Sequence, residues 1–287
     1  MFAVASGAQL LAQLAPGDFT SGIGRSAEEI AADRHRLGLD RPFAYQYGSW
    51  LKRSLTLDLG ESFQYKRPVL DLVRERAGNT ALLAMSALAV ATLVGIPWGV
   101  VTGSRRGLGV RALRGVSLLT LSVPPLISSL VLLTIAARTG WLPVSGMGGP
   151  SHLVVPTLAL ALPVAAMLER LQSQSIAEAL GRPSAMAARA RGIPEARIVW
   201  RHGWRQSLGP VLALYGVIIG SLFSGSFAVE MVTDWPGLGN LIKQALEYRD
   251  TYLVAGCAAA GAAFLAAGIL LADLAHAYVD PRVRHDA

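Results

Sequence analysis

The sequence predicts an all-α integral membrane protein with six membrane-spanning helices, because its charges are few and unevenly placed. Charged residues make up 16% of the 287 residues and apolar residues 52%, whereas about 25% of an ordinary soluble domain is charged. All but the first of the charge-free intervals exceed the roughly 20 residues that cross a bilayer core, and a soluble protein with such runs would retain little polar surface. These intervals are 1–17, 77–104, 115–137, 139–168, 206–229 and 251–272.

The first interval is the shortest of the six. A helix from Met1 to Ala15, ahead of Pro16, would rise only about 22 Å. A cleaved signal peptide is the alternative, but no basic residue precedes Arg25, and signal peptides begin with a basic region. We therefore expect a short first spanning helix within 1–17, with a natural start upstream of Met1. The other spans are predicted at about 80–102, 115–137, 153–171, 207–229 and 251–274.

The distribution of arginine predicts the orientation, because cytoplasmic loops carry the excess of positive charge. Loop 102–114 has four Arg and no acid, and loop 169–205 has seven Arg against three Glu, so each carries a net charge of +4. Segment 18–76 carries +1 and segment 230–250 carries −2. Both termini and both Arg-rich loops are therefore expected in the cytoplasm. The predicted regions are an extracytoplasmic segment at 18–76, a cytoplasmic loop at 168–206 and a cytoplasmic tail at 277–287.

The long segment 18–76 is expected to contain two helices. The first, over Ala27–Leu37, begins after Ser26, and Glu29 lies three residues further on, which is the spacing of a capping box. The second runs from Tyr45 to Leu57 and places Trp50 and Leu51 on its apolar side. This segment is either a packed outer cap or a contact surface for a delivered substrate.

Motifs for catalysis and cofactor binding are absent from the sequence. Cys257 is the single cysteine, and no two of the five histidines stand four residues apart, so neither a metal site nor a cofactor is predicted. The chain has no GxSxG elbow and no GxxxxGK[ST] loop, which argues against hydrolase chemistry and ATP binding. The Arg-rich loops lack interleaved aromatics, which argues against nucleic-acid binding. We expect a chain that is not an enzyme.

A short stretch in the second Arg-rich loop has the character of a docking surface. Four small side chains allow close approach of another protein, and Arg189 and Arg191 offer charge-assisted hydrogen bonds. The small residues are Ala185, Ala187, Ala188 and Ala190. Gly192 is expected to cap the end of a helix, and Pro194 to occupy the first position of the next. The alternative is a basic connector that anchors the loop to anionic lipid.

The fifth span carries a stripe of small and polar residues that allows close helix packing. The stripe either packs against neighbouring helices or lines a solute path. Glu230 and Asp273 stand near the edges of their spans, so a proton relay through the bilayer is not expected. The candidate path residues are Gly220, Ser221, Ser224, Gly225, Ser226 and Glu230.

Several motifs in order resemble the permease subunits of bacterial ABC importers for dipeptides, oligopeptides and nickel, specifically the first of their two paired permeases. The early motifs are Pro16 to Asp18, Leu37 to Pro42, Gln46-Tyr47 and Asp58 to Ser62. The late ones are Gly225-Ser226, Glu230, Trp235 to Gly239, Tyr248 to Asp250, Asp273, Tyr278 and Asp280 to Arg284. The resemblance covers nearly the whole chain and implies a type I permease domain at 77–276.

The resemblance also implies partners and a mechanism. The Ala187–Gly192 stretch is similar to the loop that docks the ATPase, although Met186 stands where many importer permeases have Glu, so docking is expected to depend on shape and on the two Arg. The implied partners are a second homologous permease, two ABC ATPase subunits or domains, an extracytoplasmic solute-binding protein and membrane lipid. The implied function is import of peptides across the cytoplasmic membrane, with nickel or another solute as alternatives and a secondary carrier as a rival.

Overall fold

A computed structural model describes residues 2–14, 35, 40–54, 56 and 58–279. The regular elements among these residues are helices, and one isolated β-bridge joins Glu61 to Pro68. Apart from residue 35, the predicted helix over Ala27–Leu37 lies outside the described residues, as does the tail from 280 onward. The chain forms two compact units, one of 1–80 with 236–264 and the other of 81–235 with 265–287.

The first unit is built from α1 (Phe2–Leu14), α2 (Phe43–Ser54), the first turns of α3 (Val69–Ser104), α11 (Leu238–Glu247) and the first half of α12 (Thr251–Val279). Helix α2 begins two residues before the predicted start, because the Pro42 carbonyl accepts the first helical bonds from Tyr45 and Gln46. It ends at Ser54. Trp50 is 1% exposed and packs with Tyr47 and Ala255. This packing gives the predicted apolar side of α2 a partner inside its own unit.

A buried carboxylate organises the polar part of the first unit. Asp250 is fully buried and caps α12, since its Oδ1 accepts the Leu253 N–H at 3.1 Å. Its Oδ2 accepts the Ser62 hydroxyl at 2.6 Å and the Gln64 N–H at 3.2 Å. Burial raises the pKa of Asp250, and the hydrogen bonds oppose that shift. One side chain thus ties the loop before α3 to the start of the last helix.

The second unit contains the remaining helices. They are α4 (Leu108–Ser122), α5 (Pro125–Thr139), α6 (Val154–Gly181), α7 (Pro183–Ala190), α8 (Glu195–Ile198), α9 (Trp204–Ala213) and α10 (Tyr215–Thr233). A 3₁₀ turn at Pro150–Leu153 precedes α6, and a π-helical turn at Val199–Gly203 lies between α8 and α9. The core of the unit includes Leu83, Leu168 and Leu222.

The interval 115–137, expected as one span, contains parts of two helices. Helices α4 and α5 meet at an angle of 105°. Pro124 excludes the helical conformation at the preceding residue, and Val123 is accordingly extended with φ −94° and ψ 116°. Pro125 then starts α5, where its missing N–H costs no helical bond. The two consecutive prolines therefore account for the bend.

The packing of α3 on α6 depends on three glycines with helical spacing, Gly95, Gly99 and Gly103, which we call the glycine seam. A Cβ atom on Gly95 would lie 2.5 Å from the Ala165 carbonyl oxygen, and one on Gly99 would lie 2.6 Å from the Glu169 carbonyl oxygen. The two helix backbones can come this close only because these three positions of α3 are glycines and carry no side chains. The G-xxx-G-xxx-G spacing in the sequence signals this seam, which was not predicted.

Among the residues that the structure describes, four helical segments are long and apolar enough to cross a membrane, or five if the bent pair α4–α5 is one span. They are Val69–Ser104, Pro150–Gly181, Tyr215–Thr233 and Thr251–Leu271. The prediction of an all-helical, multi-pass membrane protein is confirmed. Helix α6 continues ten residues beyond the expected span end at 171, which carries it directly to the docking stretch.

Candidate functional site

The candidate docking stretch forms a short helix with a defined end. Helix α7 spans eight residues and has Pro183 in its first turn. Gly192 has φ +74°, and its N–H donates to the Arg189 carbonyl at 2.9 Å, while the Ile193 N–H donates to the Ala188 carbonyl at 3.2 Å. This pair of bonds is the Schellman arrangement. The predicted role of Gly192 as a helix cap is confirmed.

Pro194 lies one position earlier in its helix than the sequence predicts. Its carbonyl accepts the N–H groups of Arg197 at 2.9 Å and Ile198 at 3.1 Å, but its own ψ is 138°. Pro194 is therefore the N-cap of α8 and not its first helical residue. The chain leaves left-handed Gly192 in an extended conformation, and it turns helical only after the proline.

The two sides of α7 have different surroundings. Ala185 and Ala188 are fully buried against a cluster that includes Val100, Ile176 and Ile198. Ala185 and Ala188, both predicted as part of the docking surface, instead pack inward, because positions three apart share one helix face. The exposed residues of the stretch are Met186, Ala187, Arg189, Ala190, Arg191 and Gly192.

Arg189 clamps the ends of this stretch together. Its Nη2 and Nε donate to the two carboxylate oxygens of Glu195 at 2.6 and 3.0 Å, and its Nη1 donates to the Leu180 carbonyl at 3.0 Å. The bond raises the pKa of Arg189 and lowers that of Glu195. We expected Arg189 to bind a partner, but its donors hold α7 between the end of α6 and the start of α8. Exposed Arg191 makes no such bond among the described residues.

The candidate path residues on α10 separate into exposed and buried groups. Ser221 and Ser224 are exposed, and Gly220 and Gly225 are half-buried. Ser226 is fully buried, and its hydroxyl donates to the Phe223 carbonyl at 2.8 Å, so it packs within the unit and does not face open space. Glu230 is also fully buried, in the last turn of α10, and its carbonyl accepts the Trp235 N–H at 3.0 Å.

Buried polar residues between α3, α6 and α9 were not predicted. Gln172 is fully buried and donates to the Ser207 hydroxyl at 2.7 Å. Glu169 is 3% exposed and accepts a hydrogen bond from the Thr102 hydroxyl. The charge count places Glu169 in the cytoplasmic loop because the charge-free interval ends one residue before it, although the predicted span 153–171 includes this position. Helix α6 continues through that position, which a charge count alone does not reveal.

Comparison with known proteins identifies the family. The family model described as "Binding-protein-dependent transport system inner membrane component" matches residues 95–285. The chain is 33% identical to a "Putative peptide permease protein" of Brucella suis over an alignment that covers 96% of this chain and 92% of the relative. It is 32% identical, with the same coverage, to a glutathione transport system permease protein, GsiC, of Pectobacterium atrosepticum. The chain belongs to the family of binding-protein-dependent transport system inner membrane components.

Proposed function

We propose that this chain forms one half of a peptide-conducting path in an ABC importer, the other half being a second homologous permease. Members of the family are transport components of ABC importers, and ATP hydrolysis belongs to separate subunits. The names of the relatives, which refer to peptides and to glutathione, support peptides or similar small solutes as the cargo. An importer for nickel or another solute of the same family is the alternative.

The observation that carries the proposal is the construction of α7. Its inner alanines pack on the cluster around Ile176, its end is fixed by Gly192, and Arg189 holds it to both neighbouring helices. A helix supported on three sides can transmit a displacement to α6, which enters the apolar part of the second unit. We assign the exposed side, with Met186, Ala187 and Arg191, as the surface that contacts an ATPase subunit.

Substitution at Gly192 tests this assignment. Gly192→Glu adds a side chain and a negative charge beside Arg191, and we expect the permease to stay in the membrane but to lose copurification with the ATPase subunit. Gly192→Asn is the matched control, because Asn tolerates a positive φ and carries no charge. Binding that is retained in the Glu variant would contradict the proposal.

Two further variants distinguish the binding surface of α7 from the contacts that hold this helix in place. Ala187→Glu changes an exposed position with ordinary helical geometry, and we expect it also to abolish copurification with the ATPase subunit.

Glu195→Gln weakens the Arg189 clamp without altering the exposed side of α7, so it should preserve binding of the ATPase subunit but lower the stimulation of ATP hydrolysis by transported solute. Normal stimulation in that variant would mean that the clamp has no part in coupling.

We further propose that both termini and both Arg-rich loops lie in the cytoplasm of a bacterium and that the chain spans its inner membrane. Native Cys257 is fully buried, so single introduced cysteines can report sidedness. A Trp141→Cys variant, at a position that is 86% exposed, should react with a membrane-impermeant thiol reagent in intact spheroplasts. Arg106→Cys, at an exposed position in the first Arg-rich loop, should react only after permeabilisation, and the opposite pattern would reverse the orientation.

The cargo is tested through the binding protein that delivers it. Mass spectrometry of the ligand that copurifies with the binding protein encoded beside this chain should find short peptides. The assembled importer, reconstituted in proteoliposomes, should then accumulate that peptide only when ATP and the binding protein are both present. A nickel chelate in place of the peptide would support the alternative.

A further inference from the structure

A cavity of about 310 Å³ lies between α4 and α6 in the second unit, next to the Arg-rich loop 102–114. It is separate from the exposed side of α7 and from the small residues of α10. We call it the α4–α6 cavity. Its polar lining residues are Arg114, Ser117, Glu169, Arg170, Ser173 and Gln174.

Glu169 gives this cavity an unusual charge. Glu169 is only 3% exposed, and it also lines an adjoining cavity of about 90 Å³. The Thr102 hydroxyl donates to one carboxylate oxygen, but no ion pair joins Glu169 to a basic side chain among the described residues. A carboxylate buried within an apolar span is costly unless a cation or several donors compensate it. The cavity therefore suits a ligand that brings a cation.

Two arginines supply the opposite charge at the same cavity. Arg114 uses Nη2 to donate to the Thr102 carbonyl at 2.6 Å and to the Ser173 hydroxyl at 3.4 Å. The other donors of its guanidinium make no hydrogen bond within the described residues, and Arg170 is exposed beside it. Guanidinium groups bind phosphate through parallel N–H donors. The lining thus matches a ligand with both a phosphate and a cation.

The apolar part of the lining indicates that this ligand is a lipid. Leu118 and Leu121 of α4 line the cavity and are 49% and 38% exposed, so they offer a surface to an acyl chain. No residue of α9 or α10 lines the cavity. Gln172, which does contact α9 through Ser207, lies on a different face of α6. A solute path along α10 would therefore not pass through this cavity.

We propose that the α4–α6 cavity binds the headgroup of phosphatidylethanolamine. The ammonium group donates hydrogen bonds to Glu169, the phosphate accepts them from Arg114 and Arg170, and the acyl chains extend along Leu118 and Leu121. An anionic headgroup such as phosphatidylglycerol satisfies the arginines but leaves Glu169 without a cation. Phosphatidylcholine carries a cation with no N–H donor, so it forms no hydrogen bond to the carboxylate.

Native mass spectrometry of the assembled importer tests this proposal. The complex is delipidated and titrated separately with phosphatidylethanolamine, phosphatidylcholine and phosphatidylglycerol. We expect the wild type to retain phosphatidylethanolamine about tenfold better than the other two, the effect of one charged hydrogen bond. Glu169→Gln should remove this preference, and Arg114→Gln should weaken retention of all three lipids. Equal retention of the three lipids by the wild type would overturn the proposal.

The matched control is Glu178→Gln, which neutralises an exposed carboxylate on the same helix that pairs with Arg182 at 3.1 Å. This variant should keep the lipid preference, and loss of the preference there would overturn the assignment to Glu169. If Glu169→Gln fails to assemble, the wild type is titrated instead with phosphatidylethanolamine derivatives whose ammonium group carries one, two or three N-methyl groups. Retention should fall with each lost N–H, and a flat series would overturn the proposal. Displacement of the lipid by a short peptide would instead place the cavity on the solute path.

Discussion

The glycine seam on α3 and the small-residue stripe on α10 are similar in sequence and different in their surroundings. At Gly99 an added Cβ would lie 2.6 Å from a carbonyl oxygen of α6, an atom that cannot move without its helix. At Gly225 an added Cβ would lie 3.4 Å from the Leu160 and Pro125 side chains, which is close to ordinary contact. The small residues of the glycine seam therefore allow two helix backbones to touch, whereas those on α10 leave room beside neighbouring side chains.

The comparison separates a structural role from a functional one. Because the seam brings α3 against the face of α6 that continues to α7, it makes these helices one body within the second unit. The α10 stripe has no backbone neighbour of this kind at Gly220 or Gly225, and Ser221 and Ser224 remain exposed. We therefore expect substitutions in the seam to act on stability and substitutions on α10 to act mainly on transport.

The largest effect is expected from Gly99→Ala. The added methyl group forces α3 and α6 apart, and overpacking of this kind costs about 1–3 kcal/mol. Thermal unfolding of the detergent-solubilised protein, followed by size-exclusion chromatography, measures the loss. Gly78→Ala is the matched control on the same helix, because nothing lies within 4 Å of its added Cβ, and it should stabilise the helix by up to about 1 kcal/mol. Equal melting temperatures for Gly99→Ala and Gly78→Ala would show that the glycine seam is not packed more tightly than an open position of α3.

A smaller effect is expected from Gly220→Ala. Its added Cβ would lie 2.9 Å from Cδ1 of Leu265, which is the free end of a flexible side chain. Rotation of that leucine relieves the contact at a cost of about 1 kcal/mol or less. The same thermal measurement should place this variant between wild type and Gly99→Ala. A loss as large as that of Gly99→Ala would show that α10 is packed as rigidly as the seam.

The smallest effect on stability is expected from Gly225→Ala, within about 0.5 kcal/mol of wild type. A larger side chain tests the role of α10 in transport, since Ser224→Leu fills space on the exposed side of this helix. We expect this variant to melt like wild type but to slow peptide uptake in proteoliposomes. Unchanged uptake would exclude the exposed side of α10 from the path, whereas the buried change Ser226→Ala should leave uptake unaffected.

The sequence also predicted the end of α7 correctly. A left-handed cap at Gly192 followed from a glycine placed between a run of alanines and a proline, and such turns depend on only a few neighbouring residues. Pro124 and Pro125 cause the bend between α4 and α5, whereas the charge-free interval 115–137 was expected to form one span. Charge-free length identifies an apolar interval, but it does not reveal whether one helix or two occupy it.

The direction of each side chain was less predictable. Ala187 and Ala188 are adjacent and identical in type, but one is exposed and the other is fully buried. Arg189 was expected to meet a partner, and it instead binds Glu195 and the Leu180 carbonyl. Those partners stand six and nine residues away along the chain, so the bonds depend on how the chain turns at Arg182 and Gly192.

The helical and apolar character of this protein and its membership of a transport family follow from the amino-acid sequence, because hydrophobic length and ordered motifs are properties of the chain alone. The folded structure was needed to show which small residues touch backbone, which arginines are already bound and where a buried carboxylate lies. Those outcomes depend on contacts between residues far apart in sequence. Glu169 shows the difference most clearly: the charge count assigned it to a loop, and the packing of α6 places it in a cavity beside Arg114.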